Sequence, residues 1–390
     1  MQTTERESLI YLDHAATSWP KPREVIEAVV KTMEEDAANP GRGSHQMAVR
    51  ASRILFDTRK TVAKLFRIAN PNDIAFTSNT TMALNMAIKG IVQPGDHVVA
   101  TAIEHNSVRR PLEYLKRTAG ISVTYVEANE RGEVDAKQVE SAITSKTKLV
   151  IVNHSSNLMG SIMPVADIGE ITRRRGVKLL IDAAQTAGLA EIDVEALGID
   201  LMAFPGHKGL LGPQGTGGLY IHPQTELEPL IHGGTGSQSE SAEQPSVRPD
   251  RYEAGTQNTP GLAGLKAGVQ YVLHETVQRI HNKEWELSQQ LMEGLLAIDG
   301  VRVLGPAIGR PRTGIVAFVI HGADPSETAF ILDQHYHIAV RSGFHCSPLA
   351  HGAAGTLETG AVRASVGCFT TKEEVQALIE AVKEISQHYR

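Results

Sequence analysis

The chain has 390 residues, of which 41% are hydrophobic and 21% are charged, so it can fold as a globular protein with one large or two moderate cores. Its formal net charge of -6 argues against a nucleic-acid groove or a membrane surface, because both favour basic patches. The two cysteines, Cys346 and Cys368, form no disulfide framework, and Met1–Ser8 lacks the apolar segment of a signal peptide. No apolar run reaches the roughly 18 residues of a membrane span. We therefore expect a cytoplasmic protein.

Short apolar runs alternate with amphipathic stretches through the first two thirds of the chain. Helical patterns at 82–90 and 165–175 separate some of these runs. Several runs are apolar almost throughout, which is typical of parallel strands buried on both faces. The alternation predicts an α/β domain with a mostly parallel, seven-stranded sheet. The predicted strands are 73–77, 97–102, 122–127, 148–153, 178–183, 201–205 and 217–222.

The pattern changes from about residue 262 onward. A helix is predicted at 281–297, with Leu287, Leu291 and Leu295 on one stripe. A last helix starts at the capping box of Thr371 and Glu374. We interpret this region as a smaller α+β domain, and we assign 17–260 to the large domain and 1–16 with 261–390 to the small one. Its predicted strands are 301–304, 314–320, 339–341 and 361–366.

A lysine and an aspartate suggest chemistry in which a Schiff base forms with a pyridine-containing cofactor. Lys208 follows a histidine and is flanked by Gly206 and Gly209, whose bare backbones would let a bulky cofactor approach. Such a lysine suits a Schiff-base nucleophile, and the alternative is a surface lysine in a turn. Asp182 ends an apolar strand, where a carboxylate can bond to a protonated pyridine nitrogen; the alternative is a helix cap. Together they are the two groups that a pyridoxal 5'-phosphate (PLP) enzyme needs most.

Other polar residues follow predicted strands. The segment 77–81 precedes a helix and suits a phosphate site, although plain N-capping is compatible with the same residues. His105 can stack on a flat ring and move protons, or it can be structural. Arg363 is a candidate for gripping a substrate carboxylate, and Asn157 could assist it. Gln185 could touch the hydroxyl group of the ring.

The two cysteines differ in their surroundings. Cys346 follows a predicted strand, lies in a polar segment and has His345 beside it. Exposure and a neighbouring imidazole favour the thiolate, which is the nucleophilic form; the alternative is a small buried hydrophobic residue. Cys368 fits that alternative better, and we assign it no role.

These segments, in this order, resemble the class V aminotransferase-like family of fold-type I PLP enzymes, and within it the cysteine desulfurases and selenocysteine lyases. The likeness covers nearly the whole chain. The short cysteine segment is closest to the SufS-type branch. The segments that carry the resemblance are 11–17, 76–81, 104–106, 156–160, 182–185, 206–208, 253–256 and 361–365.

The resemblance implies a role for each candidate residue. Lys208 would form the Schiff base with PLP, and Cys346 would carry a persulfide. The resemblance implies a homodimer, because Thr256 would reach the phosphate of the neighbouring subunit. No metal site is predicted. Of the remaining residues, Asp182, Gln185 and His105 would hold the ring, Thr80, Thr81 and His207 the phosphate, and Arg363 and Asn157 the amino acid.

The implied reaction converts L-cysteine to L-alanine and passes the sulfur from Cys346 to an acceptor protein or a small thiol. A selenocysteine lyase, another class V enzyme such as an aminotransferase, and a PLP-binding sulfur-trafficking scaffold without turnover remain alternatives. The sequence departs from the family pattern at Asn79, Met82, Phe344 and Phe369. We expect these departures to lie around the substrate rather than the cofactor. The role of the Gly- and Ser-rich loop 233–251 stays open.

Overall fold

The computed structural model describes residues 9–41 and 43–389, so part of the N-terminal segment predicted for the small domain, residues 1–8, lies outside the described residues. Most predicted strands are observed within one or two residues of their expected bounds. The observed strands, in chain order, are β1 Ile10–Tyr11, β2 Ile74–Thr77, β3 His97–Thr101, β4 Ser122–Val126, β5 Thr147–Asn153, β6 Lys178–Asp182, β7 Leu201–Pro205, β8 Gly217–Ile221, β9 Val301–Leu304, β10 Ile315–Ile320, β11 Ile338–Ala339, β12 Arg341–Gly343 and β13 Ala361–Ser365.

Helix ends follow the local sequence. The predicted capping box is observed, with Thr371 and Glu374 satisfying each other's backbone N–H groups at the start of the last helix. Gly120 and Gly176 end two helices with φ of 63° and 67°, a left-handed conformation that glycine adopts without strain. The helices are α1 Arg23–Glu35, α2 Gln46–Leu65, α3 Thr80–Ile91, α4 Asn106–Ala119, α5 Ala136–Ala142, α6 Val165–Arg175, α7 Thr259–Glu275, α8 Val277–Leu296, α9 Pro325–Tyr336, α10 Pro348–Ala353 and α11 Lys372–Gln387.

The larger sheet has seven strands in the order β2-β8-β7-β6-β5-β3-β4, and β8 is antiparallel to both of its neighbours. Successive residues of β5 and β6 enter cores on opposite faces: Val150 and Ile181 pack on one side, and Ile151 and Leu180 on the other. Burial on both faces explains why these strands are continuously apolar. The predicted mostly parallel, seven-stranded α/β sheet is confirmed.

A second sheet, in the antiparallel order β12-β13-β10-β9, packs with α8, α9 and α11 around its own core. The leucine stripe predicted on α8 is buried in that core. The prediction of a single strand at 339–341 is wrong, because two short strands, β11 and β12, occupy this region. Because β11 pairs with β1 whereas β12 pairs with β13, the chain changes sheets at Val340. No helix among residues 9–41 and 43–389 is long and apolar enough to cross a membrane.

Candidate active site

One cavity of about 220 Å³ lies at the carboxyl ends of the parallel strands, between the two sheets. In open α/β sheets this edge is the usual place for a ligand. Most of the residues singled out from the sequence line this cavity together. They are Thr80, Thr81, His105, Asn157, Asp182, Gln185, His207, Lys208 and Arg363.

Lys208 follows β7, and desolvation, reinforced by the positive charge of Arg363, lowers its pKa to about 8. A lowered pKa makes the neutral, nucleophilic amine more available near neutral pH. The flanking glycines have a different function from the one expected. A Cβ atom at Gly206 would lie 2.0 Å from Thr216 Oγ1, and one at Gly209 would lie 2.5 Å from the Ala187 carbonyl oxygen. These glycines are therefore required by close packing within the protein itself.

Asp182 is the last residue of β6 and is only 2% exposed. Its Oδ1 accepts a hydrogen bond from the Ala184 backbone N–H at 2.9 Å, but the residues after β6 form a turn and no helix starts there, so the alternative of a helix cap is wrong. Burial raises its pKa to about 6. A cation beside this carboxylate would offset that cost of burial.

His105 caps α4, because its Nδ1 accepts a hydrogen bond from the Ser107 backbone N–H at 3.0 Å. Desolvation, with a further contribution from Lys208, lowers its pKa to about 4. The ring is therefore neutral at physiological pH and carries its proton on Nε2. A flat, uncharged imidazole on the cavity wall can stack on an aromatic ring without adding positive charge.

The N-terminus of α3 supplies the anion-binding end of the cavity. Asn79 caps this helix by accepting from the Met82 N–H at 2.9 Å, and Thr80 and Thr81 form its first turn. Small hydroxyl residues at a helix N-terminus suit a phosphate. His207 adds a buried Nδ1 that has no hydrogen-bond partner in the described part of the chain, and burial lowers the pKa of this imidazole to about 4.

The lining residues fit PLP. A lysine, a buried carboxylate, a neutral stacking ring and a helix N-terminus surround one cavity. Several of the lining residues also carry buried polar atoms that have no hydrogen-bond partner among the described residues, and a polar ligand would satisfy them. These atoms are His207 Nδ1, Asn153 Oδ1, His345 Nδ1 and Arg363 Nε.

Arg363 is almost fully buried on β13 and bonds to two protein oxygens. It donates to Asp13 Oδ1 at 2.8 Å and to the Asn157 carbonyl oxygen at 2.9 Å. Its Nε is buried and has no partner within residues 9–41 and 43–389, so the guanidinium retains capacity to bind a carboxylate. Arg341 lines the same cavity, and we did not assign it a role from the sequence.

The Asn157 side chain lines the cavity, and one N–H of its amide and its amide oxygen are already bonded within the protein. Its Nδ2 donates to the His345 carbonyl oxygen at 2.7 Å, and its Oδ1 accepts from Ser347 Oγ at 2.5 Å. These bonds reach the His345 backbone and the Ser347 side chain, on either side of Cys346. They connect Asn157 to the cysteine segment, and because its amide keeps a second N–H, the substrate role assigned from the sequence stays a prediction.

Cys346 is exposed, which excludes the alternative of a buried hydrophobic residue. It and His345 adopt left-handed backbone conformations, with φ of 57° and 48°. The Cys346 carbonyl oxygen accepts from the Asn106 N–H at 2.8 Å, which holds the residue against the start of α4. Cys346 itself does not line the cavity, although its neighbour His345 does.

The expected electrostatic help from His345 is absent. The His345 ring is buried, and burial together with Arg363 lowers its pKa to about 3, so it carries no positive charge near neutral pH. Cys368 lines an adjoining crevice that shares Lys208 and Gln185 with the cavity, and burial raises its pKa to about 12. A thiol with so high a pKa is a poor nucleophile.

Thr256 lies outside this cavity, in a surface hollow with Arg59 and Glu253. Its expected role concerns the phosphate of the neighbouring subunit, so that role stays a prediction.

Of the four departures from the family pattern, Met82, Phe344 and Phe369 do not line this cavity, whereas Asn79 lines it at the N-terminus of α3. Phe369 lines the adjoining crevice, which shares Lys208 with the cavity. Phe344 packs instead against His351 with ring centroids 5.4 Å apart.

Glu104 is a further buried polar residue to which we assigned no role. It is fully buried, and its Oε1 accepts from Thr101 Oγ1 at 2.5 Å and from the Asn153 N–H at 2.7 Å. Burial raises its pKa to about 8. Its place directly before His105 at the end of β3 was the only signal in the sequence. It ties the His105 segment to β5.

Fold and site together define a class of protein: an α/β enzyme whose cavity presents a lysine, a strand-end carboxylate and a helix N-terminus, the groups that PLP chemistry uses. The family model described as aminotransferase class-V matches residues 10–378, and the chain belongs to this family.

Named relatives agree with this assignment. A probable cysteine desulfurase from Methanothermobacter thermautotrophicus is 40% identical over 97% of this chain and 94% of the relative. A second one, from Pyrococcus abyssi, is 35% identical over 98% of this chain and 96% of the relative. A solved structure of a cysteine desulfurase from Thermococcus onnurineus NA1 matches with a TM-score of 0.91 and 34% identity, covering 97% of this chain and 95% of that chain. The cysteine desulfurase CsdA from Escherichia coli matches with a TM-score of 0.88 and 27% identity, covering 98% and 96%.

Proposed function

We propose that this chain is a PLP-dependent cysteine desulfurase that converts L-cysteine to L-alanine and carries the sulfur on Cys346 as a persulfide. The single observation that carries the proposal is the exposed Cys346, held by Asn157 and Asn106 beside a cavity that contains Lys208 and Asp182. The named relatives support it, since they are described as probable cysteine desulfurases.

PLP would supply an electron sink for the charge that develops at the substrate Cα. Lys208 would be its covalent attachment point, and Asp182 would bond to the ring N–H. His105 would stack on the ring and Gln185 would lie at its edge. Thr80, Thr81 and His207 would hold the phosphate.

Protein residues would bind the substrate, accept its proton and attack its sulfur. Arg363, with Arg341 nearby, would bind the substrate carboxylate, since both guanidinium groups belong to the cavity wall. Lys208, with its lowered pKa, would accept the proton from Cα as a neutral amine. The Cys346 thiolate would attack the substrate sulfur. As the new S–S bond forms, the Cβ–S electron pair stays with carbon, which takes up a proton and leaves as alanine.

Product analysis tests this proposal. Holoenzyme incubated with L-cysteine and dithiothreitol should release alanine and sulfide in equal amounts. Pyruvate or another keto acid in place of alanine would instead indicate a different class V reaction, and no turnover would indicate a binding scaffold. The same assay with L-selenocysteine separates a desulfurase from a selenocysteine lyase, because a lyase would turn over only the selenium compound.

Finer assignments are part of the proposal. We place the chain in the SufS-type branch, because only residues 344–347 separate β12 from α10 at the cysteine. We also propose a homodimer in which Thr256 reaches the partner's phosphate site. Light scattering should then give twice the chain mass, and Thr256→Ala should weaken PLP retention.

Two further predictions concern the domains and the location of the protein. Limited proteolysis can test the division into a large domain, 17–260, and a small domain formed by 1–16 with 261–390. Cell fractionation can test the cytoplasmic location.

A further inference from the structure

The exposed side of α4 next to Cys346 carries a dense positive charge. The helix Asn106–Ala119 contains four basic residues and one acidic one. This excess is unexpected in a chain whose net charge is -6. The basic residues are Arg109, Arg110, Lys116 and Arg117, and the acidic one is Glu113.

Three of these cations form no ion pair with any residue that the structure describes. Glu113 pairs with Lys116 at 3.0 Å. In the described ranges, 9–41 and 43–389, no ion pair involves Arg109, Arg110 or Arg117. Lys89 adds a further cation, with its Nζ 4.9 Å from the centre of the exposed Tyr114 ring. Unpaired arginines around an exposed aromatic ring are typical of a surface that binds a partner rather than one that only keeps a protein soluble.

The basic surface of α4 lies close to Cys346, the residue proposed to carry the sulfur. Arg109, Arg110, Arg117 and Tyr114 line one hollow with Pro348, which lies two residues after Cys346. The same hollow reaches Asn106, whose N–H donates to the Cys346 carbonyl oxygen. A molecule seated along α4 would therefore have one end at the cysteine.

We propose that this basic surface docks a protein acceptor whose thiol is flanked by carboxylates. The inference rests on the proposed persulfide at Cys346. The acceptor thiolate attacks the outer sulfur of the persulfide, a new S–S bond forms on the acceptor, and Cys346 leaves as a thiolate. No other oxidant or reductant is needed. Complementary charge would raise the rate of productive encounter and fix the orientation of the thiol.

The test measures thiol delivery to Cys346 without requiring desulfurase activity. Cys346 of the Cys368→Ala holoenzyme is converted to a mixed disulfide with Ellman's reagent, and release of the coloured thiolate by cysteine peptides is followed. The peptides differ only in flanking residues, which are glutamates, serines or lysines. We expect the glutamate peptide to react roughly tenfold faster than the lysine peptide at low salt, and the difference to vanish at high salt.

Two double variants complete the experiment. Arg110→Glu with Arg117→Glu should reverse the preference, whereas the matched control Lys146→Glu with Arg310→Glu should keep it, because it makes the same charge change at exposed sites off α4. Equal rates for all peptides, or equal effects of both double variants, would overturn the proposal. A change in oligomeric state caused only by the α4 variant would also overturn it, by making this face a contact between copies. Sulfide release from L-cysteine with dithiothreitol, a small neutral thiol, should be unchanged in every variant. If the wild-type protein released no sulfide in that assay, the result would count against the desulfurase function and not against the docking surface.

Discussion

The two sides of the cavity are built differently. On the cofactor side, Asp182 ends β6 of the mostly parallel sheet, His105 and Lys208 follow β3 and β7, and the packing around these side chains holds them in place. On the cysteine side, Cys346 lies between β12 of the second sheet and α10, and hydrogen bonds from Asn157 and Asn106 hold its segment.

The two sides therefore control different properties: the cofactor side sets the pKa values of its residues, and the cysteine side sets the position of an exposed thiol. The cofactor side depends on burial and on charges within a low-dielectric cavity, which lower the pKa values of Lys208 and His105. The cysteine side depends on directed hydrogen bonds that hold an exposed residue in a left-handed backbone conformation. Damage to one side should leave the other measurably intact.

The largest effect is expected from Lys208→Ala. Removing the amine should abolish the visible absorbance of attached PLP and lower the rate of alanine formation by about 10³-fold or more, since both the attachment point and the proton acceptor are lost. Absorbance spectra and amino-acid analysis measure the two effects. Lys266→Ala is the control, because that lysine lies within helix α7 and does not line the cavity. Wild-type turnover in Lys208→Ala would show that another group removes the proton.

Cys346→Ser sharpens the comparison from the opposite side. The absorbance of bound PLP should be unchanged, whereas alanine formation from L-cysteine should fall by about 10²-fold, because the hydroxyl group is a far weaker nucleophile toward sulfur. Cys368→Ser is the matched control and should retain activity, since that thiol has a pKa of about 12. If both variants desulfurate like wild type, Cys346 does not carry the sulfur.

Asn157→Ala distinguishes the two assignments of that residue. If Asn157 positions the cysteine, kcat should fall by about tenfold, KM should stay near wild type, and iodoacetamide should modify Cys346 at a changed rate. Ser347→Ala should have a smaller effect in the same direction, since it removes one of the two bonds. A raised KM with unchanged kcat would support the substrate-binding assignment made from the sequence.

The smallest expected effect is a pH dependence of PLP uptake. Only the neutral amine of Lys208 reacts with the aldehyde, and its pKa of about 8 means that the reactive form is lost as pH falls through that value. The rate at which apoprotein gains visible absorbance should therefore fall about tenfold between pH 9 and pH 7. A midpoint near the pKa of an ordinary exposed lysine would contradict the desolvation that we describe.

Much of the cofactor side could be predicted from the sequence. Each residue there lies just after an apolar run, and parallel strands present their carboxyl ends at one edge, so proximity follows from order along the chain. The main errors concern contacts between distant segments. Gly206 and Gly209 were interpreted as room for a cofactor, whereas they pack against Thr216 and the Ala187 backbone.

The sequence by itself determined the elements, the mostly parallel sheet and the residue types for PLP chemistry, because strand periodicity and helix caps are local properties. Tertiary structure alone decided what Asn157 and Arg363 bond to, since their partners lie far away in the chain. It also decided that His345 is turned inward and neutral while Cys346 faces solvent. The burial of a residue in a polar segment depends on how whole layers pack, and the local sequence does not encode it.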